Sequence, residues 1–134
     1  MSSPVFLDTV GLLALWDRSD QWHSRAEAAW LQLQAESALV MTTTFVLLEC
    51  GNAAARRPYR QSVDRLRTYL EAANLLITPQ AEDWEWAWET YRAEGPEGAG
   101  IVDHISFSVM RRLSIHRVFT NDHHFATVGF QTLF

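Results

Sequence analysis

The stretch AEDWEWAWETYRAE, Ala81 to Glu94, decides the fold class because two readings compete over it. Trp84, Trp86 and Trp88 alternate with other residues at a period of two, which is the spacing of a half-buried strand. Three features favour a helix instead. The run is long for a strand, alanine and glutamate are good helix formers, and Trp84, Trp88 and Tyr91 fall on one helical face. Read as a helix, the segment takes its place in a chain of alternating strands and helices.

Working outward from it, Leu75–Thr78 reads as a short strand and Arg60–Ala73 as the helix before it. On the other side, the glycine-rich loop GPEGAG leads to a helix over Val102–Leu113. Strands follow at Arg117–Thr120 and near Gln131–Leu133. At the start of the chain, Pro4–Asp8 is a strand apolar on both faces, Gly11–Trp16 a brief helix, and DRSD a break. Trp22, Ala26, Ala29, Trp30 and Leu33 then recur at helical spacing within Gln21–Ala35. After a strand at Leu39–Thr42, the hydroxyl residues of TTTFVLLECGNAAAR are suited to cap a helix, which Pro58 stops near Arg57. Gly51 costs this helix about 1 kcal/mol, which suggests close packing there.

Such alternation predicts an α/β fold: a central, mainly parallel sheet with helices on both faces, a three-layer sandwich. At 134 residues one domain spanning 1–134 is expected, burying roughly two-thirds of its unfolded surface. The single cysteine, Cys50, cannot form an internal disulfide. With no leader pattern and no membrane-length apolar run, a cytoplasmic protein without a membrane partner is expected. A net charge of −5 argues against broad electrostatic binding of nucleic acid. The charge is unevenly spread, however. Lysine is absent, and Arg56, Arg57, Arg60, Arg65 and Arg67 crowd into RRPYRQSVDRLR. A solvated face is the plainer reading of that cluster and a phosphate-gripping patch the sharper one.

In folds of this class ligands bind outside the carboxyl ends of the strands. Asp8 and Asp122 both stand at such ends. Asp103 opens a helix, where aspartate commonly satisfies free N–H groups. Glu49 shares a helical face with Phe45, Leu48, Asn52 and Ala53, so an acid interrupts an apolar stripe and needs a partner, a metal ion or exposure. Each acid alone has an ordinary structural explanation. Drawn together, the four would repel unless divalent cations neutralised them. Oxygen-only ligands select Mg²⁺ or Mn²⁺ over zinc or copper, and such ions activate water against phosphodiesters.

At these residues the sequence resembles the PIN-domain nucleases, and among them the VapC toxins of toxin–antitoxin pairs. The matching pieces are FLDTVGLLALWDRSDQWHSRA, TTTFVLLECGNA, IVDHISFSVMRRLSI and VFTNDHHFATVGF, in the family's order along nearly the whole chain. The resemblance implies a PIN fold and makes Asp8, Glu49, Asp103 and Asp122 an acidic quartet that binds Mg²⁺ or Mn²⁺ and cleaves RNA. Thr9, Asn52 and Thr120 would orient the acids by hydrogen bonds. It further implies a homodimer and a cognate VapB-like antitoxin laying a helix along an apolar groove. One departure is Val102, where relatives often carry serine or threonine before the third acid. It favours an alternative, a catalytically weak PIN module that serves as an RNA- or protein-binding partner.

Other acid-at-strand-end folds fit poorly. A receiver domain needs lysine, a haloacid-dehalogenase-type phosphatase needs an acid where Val10 stands, and a phosphate loop needs glycines with lysine. The tryptophans read mainly as core, except Trp86, which points away from Trp84 and Trp88 and is expected at a dimer or antitoxin contact. His123 and His124 read as exposed loop residues and a poor zinc signal. His104 should point away from Asp103, and His23 and His116 show no chemical partners.

Overall fold

In the computed structural model, which describes residues 3–134, five strands form one sheet: β1 (Val5–Leu7), β2 (Val40–Thr43), β3 (Leu76–Ile77), β4 (Arg117–Phe119) and β5 (Gln131–Thr132). The helices are α1 (Thr9–Trp16), α2 (His23–Ala35), α3 (Thr44–Ala54), α4 (Arg60–Ala72), α5 (Ala81–Ala93), α6 (Ile101–Arg112) and α7 (His123–Thr127). The strand order is β3-β2-β1-β4-β5, and every neighbouring pair is parallel. Val5 faces Val40 on one side and Arg117 on the other, and Leu7 faces Phe119. The chain therefore steps outward from β1 to β3, then crosses back to β4 and β5. Right-handed crossovers put α1 to α4 on one face of the sheet and α5 to α7 on the other. The packing agrees, with α1 against α2 and α3, α3 against α4, and α5 against α6.

The centre of the sheet explains its sequence. All three residues of β1 are fully buried, so the strand is apolar on both faces. Phe107 meets Phe125 edge-to-face at 4.8 Å, joining α6 to α7, and Phe119 meets Trp30 at 5.5 Å, joining α2 to β4. Gly11 marks the tightest approach, since a Cβ there would overlap the Phe119 carbonyl. Gly51, expected to mark close packing, has open space where its side chain would be.

Four helices return the chain to a strand through the same device, a left-handed residue just past the cap. Ser37, Asn74, Ser114 and Gly129 have φ of 52°, 58°, 56° and 102°. Each is followed by an N–H reaching back to a carbonyl in the last turn: Ala38 to Leu33, Leu75 to Leu70, Ile115 to Met110, and Phe130 to Phe125, at 2.8–3.0 Å.

Several expectations need correction. The third helix stops at Ala54 rather than Arg57, and α1 begins at Thr9 rather than Gly11. The segment after Asp122 is the short helix α7, because Asp122 caps it and Phe125 drives its apolar side into the core. On α5 the tryptophans exchange roles. Trp84 and Trp88 are exposed, whereas Trp86 packs against the core through the ring of His104 and under the guanidinium of Arg111. His23, expected without a partner, is bonded through Nδ1 to the Ala14 carbonyl at 2.9 Å. No helix among the described residues is long and apolar enough to cross a membrane.

Candidate active site

β1 and β4 are neighbours from which the chain departs in opposite directions across the sheet, so a crevice opens beyond their carboxyl ends. Asp8 follows β1 and caps α1, accepting the Val10 N–H at 3.3 Å. Thr120 follows β4 and donates its hydroxyl to Asp8 Oδ2 at 2.8 Å. The same Thr120 oxygen accepts the Asp122 N–H at 3.2 Å, so one buried hydroxyl links two of the acids. Asp122 in turn caps α7, accepting the His124 N–H at 2.9 Å. Asp103 lies two residues inside α6, and the cap position is Gly100, whose N–H bonds Asp103 Oδ2 at 3.3 Å. Asp103 thus sits in the first turn of the helix, as expected, with its carboxylate held against the helix start.

Glu49 reaches the crevice differently from the way its pattern suggested. The stripe of Leu48, Glu49, Asn52 and Ala53 faces solvent, and the buried side of α3 is Val46, Leu47, Cys50 and Ala54. Exposure therefore resolves the conflict between an acid and its apolar neighbours. Glu49 is nonetheless oriented, because Thr9, the first residue of α1, donates its hydroxyl to Glu49 Oε1 at 2.6 Å. Asn52 is exposed one turn further on and makes no side-chain hydrogen bond among the described residues.

The four acids lie close enough to influence one another electrostatically. Burial is the largest influence on Asp8 and raises its pKa to about 7, with the charges of Asp103 and Asp122 adding to it and the bonds from Thr120 and Val10 opposing. Burial likewise lifts Asp103 to about 6, reinforced by Asp122 and Glu49 and opposed by the Gly100 N–H and His124. Cys50 lies beneath, and burial together with the charges of Asp8 and Glu49 pushes its thiol up to about 12. It stays protonated and is no nucleophile. Among the described residues no arginine pairs with any of the four acids. Beside His123, whose Nδ1 lies 4.0 Å from Asp122 Oδ1, the nearest basic group is His124. Its Nδ1 faces Asp122 Oδ1 at 3.0 Å and its Nε2 the Glu97 carbonyl at 3.1 Å. Both neighbours are acceptors, and chiefly the Glu97 carbonyl, then Asp122, raises the His124 pKa. His124 was expected as a loop residue, and only the tertiary position of Glu97 reveals its role.

This arrangement suits a hard divalent cation. Asp8 is 1 % exposed and surrounded by like charge, a combination that disfavours its ionised form unless a cation is added. One grouping among the described residues brings three candidate ligands within 4.8 Å: Asp122, His123 and His124. The acids around the crevice offer carboxylate oxygen, which fits Mg²⁺ or Mn²⁺.

Comparison with known proteins gives a consistent result. Residues 5–131 match the family model of the PIN domain. The chain is 28 % identical to the 23S rRNA-specific endonuclease VapC20 of Mycobacterium tuberculosis, an alignment covering 94 % of this chain and 95 % of that protein. The crystal structure of the same organism's VapC20, described as a sarcin–ricin loop cleaving toxin, superposes with a TM-score of 0.75 at 26 % identity, covering 94 % of this chain and 95 % of that one.

Proposed function

The chain belongs to the PIN-domain family, and we propose from that premise that it is a VapC-like toxin, a metal-dependent endoribonuclease that hydrolyses RNA phosphodiester bonds. What supports this reading is the charge coupling among Asp8, Asp103, Asp122 and Glu49 beyond the carboxyl ends of β1 and β4, with no arginine paired to them among the described residues. Asp8, Glu49, Asp103 and Asp122 would hold Mg²⁺ or Mn²⁺, which when bound activates water and stabilises charge on a phosphodiester. Thr120 fixes Asp8 and Asp122 relative to each other, and Thr9 fixes Glu49. His124 lies between Asp122 Oδ1 and the Glu97 carbonyl and so holds Asp122 in place. The molecule works as a single domain over 1–134, in the cytoplasm.

The test is cleavage of RNA by antitoxin-free protein with added Mg²⁺ or Mn²⁺, its loss with EDTA and its loss in Asp8→Ala. Ribosomal RNA of the 23S type is the first substrate to try, given the relatives. Protein inert with every metal and RNA, yet still binding RNA, would establish the weak-module alternative instead.

Two surfaces support the expected partners. A groove of about 450 Å³ between α1, α2 and α4, lined by Leu12, Leu15, Trp30, Leu33, Leu66 and Tyr69, offers a VapB-like antitoxin helix an apolar seat. On the opposite side of α3, an aromatic ladder runs Phe45–Trp84–Trp88–Tyr91 with centroid spacings of 6.2, 5.9 and 5.3 Å. Leu48 beside it is 64 % exposed. α5 is rich in glutamate and α4 in arginine, and both touch α3. A twofold that laid one copy's α5 over the other's α4 would satisfy both charges, as an isologous homodimer requires. Trp84→Ser with Trp88→Ser should leave a monomer by sedimentation, and an unchanged dimer would move the interface elsewhere. Trp86, the expected contact residue, is instead part of the monomer's packing.

A further inference from the structure

α1 and α3 leave the acidic crevice side by side. They touch at Thr9 and Glu49, and beyond their other ends the segments Trp16–Ser19 and Arg57–Tyr59 meet again around a cleft of about 600 Å³. Asp17 stands eight residues past Thr9 and Arg57 eight past Glu49, so the cleft lies about 12 Å from the acids along the helical rise. That is a few nucleotides' reach along a single strand.

The arginines of this molecule differ in how they are engaged. Arg67, Arg112 and Arg117 each hold a carboxylate at 2.6–2.7 Å. Arg18, Arg25, Arg56, Arg57 and Arg92 are exposed and make no hydrogen bond or ion pair among the described residues. Two of those five, Arg18 and Arg57, line one cleft, together with the half-buried rings of Trp16 and Tyr59. The cleft's one acid, Asp17, is engaged chiefly by Ser19, its Oδ1 accepting the Ser19 N–H at 3.0 Å and the Ser19 hydroxyl at 2.6 Å, with the charge of Arg57 a smaller influence on it. Free guanidinium groups beside aromatic faces are the chemistry that grips phosphate and stacks unpaired bases.

We propose that this cleft, built by Arg18 and Arg57 with Trp16 and Tyr59, is a second RNA subsite that anchors the strand flanking the bond to be cut. The inference rests on the nuclease reading for its substrate class, single-stranded RNA. It also explains how a chain of charge −5 holds a polyanion beside an acidic pocket: the positive charge is concentrated where the flanking phosphates pass.

The experiment compares the parent chain with Arg18→Ala/Arg57→Ala. A short single-stranded oligouridylate is titrated in an Asp8→Asn background that cannot cut it. The double variant is expected to bind more weakly, and its plot of log affinity against log salt to flatten by about 0.7 for each phosphate that is no longer gripped. Arg18→Lys/Arg57→Lys should recover much of the slope, because the charges return. Tyr59→Leu should weaken binding and leave the slope unchanged. With the acids intact, the alanine pair should raise KM and leave kcat unaltered. Equal slopes for parent and alanine pair, or no binding by the parent, would overturn the subsite. A parent that binds with the expected slope yet cuts nothing in any metal would refute the nuclease reading alone.

Discussion

Two aspartates in this molecule are equally hidden and opposite in circumstance. Asp83, on α5, is 0 % exposed, and Asp8, at the end of β1, is 1 % exposed. Asp83 is met by the Arg112 guanidinium at 2.7 Å, the Ser108 hydroxyl at 2.7 Å and the Gln80 N–H at 2.8 Å. Burial pushes its carboxyl up, but these partners, Arg112 foremost, outweigh it and hold the group below its usual range. Asp8 receives one hydroxyl and one N–H, and its charged neighbours are acids. A buried carboxylate with its own cation fastens helices together, here α5 to α6. One that is buried among other carboxylates is incomplete without a cation from outside. Burial and residue type are the same in both cases, so the neighbours separate a structural acid from a functional one.

Exchanging each acid's character is the sharpest way to break the comparison. Asp8→Asn keeps acceptors for Thr120 and Val10 but removes the charge, and RNA cleavage should fall by about a thousandfold or more, in line with loss of several kcal/mol of metal-derived stabilisation. The same variant should melt higher than the parent at pH 8 without metal. A variant that keeps its activity would remove Asp8 from the site. Arg112→Met should do the converse. It strands Asp83, and because Arg112 remains a quarter exposed, the expected loss is about 3 kcal/mol, at the low end for breaking a buried pair. Urea denaturation measures it, and activity per folded molecule should be unchanged.

Thr120→Val comes next in size. It deletes the hydroxyl that donates to Asp8 and accepts from Asp122 while conserving volume. Outer-shell losses of this kind typically cost about 10- to 100-fold in metal affinity or activity. Metal titrated against cleavage rate should show it, with Thr120→Ser restoring most of the loss. An unchanged metal dependence would make Thr120 a packing residue only.

The contrast also explains what could be read from sequence. The alternation that sets the parallel sheet was legible, because each strand is an apolar run bounded by helical periodicity, and Asp8 and Asp122 could be placed from the strand ends alone. Asp83 drew no notice, since its partners Ser108 and Arg112 are far along the chain. Three of the four left-handed turns were silent because serine or asparagine occupies them rather than glycine. The helix α7 was missed because it is short and its cap, Asp122, reads equally well as a turn. Glu49 was assigned to an apolar face because Phe45 and Leu48 are hydrophobic. Periodicity cannot say which hydrophobic face of a helix meets the sheet and which one a partner covers.

The smallest effect expected is also the most specific to the difference between the two aspartates, namely how stability changes with pH. In the folded metal-free chain Asp8 binds its proton up to about pH 7 and Asp103 up to about 6, whereas in the unfolded chain both titrate near 4. Between these limits the folded state carries more protons, so stability falls as pH rises through the window and is greatest at its acid end. Asp83 has the opposite sign, since its carboxyl is depressed and its contribution fades only as pH drops below the ordinary carboxylate range. Melting of the metal-free protein should therefore rise by roughly several degrees from pH 8 to pH 5, and Mg²⁺ should flatten the curve by stabilising the ionised acids above pH 7. Asp8→Asn should flatten it in the same way without metal. A melting curve that instead climbs with pH across this window, with metal making no difference, would mean that Asp8 has a compensating partner of its own and resembles Asp83 after all.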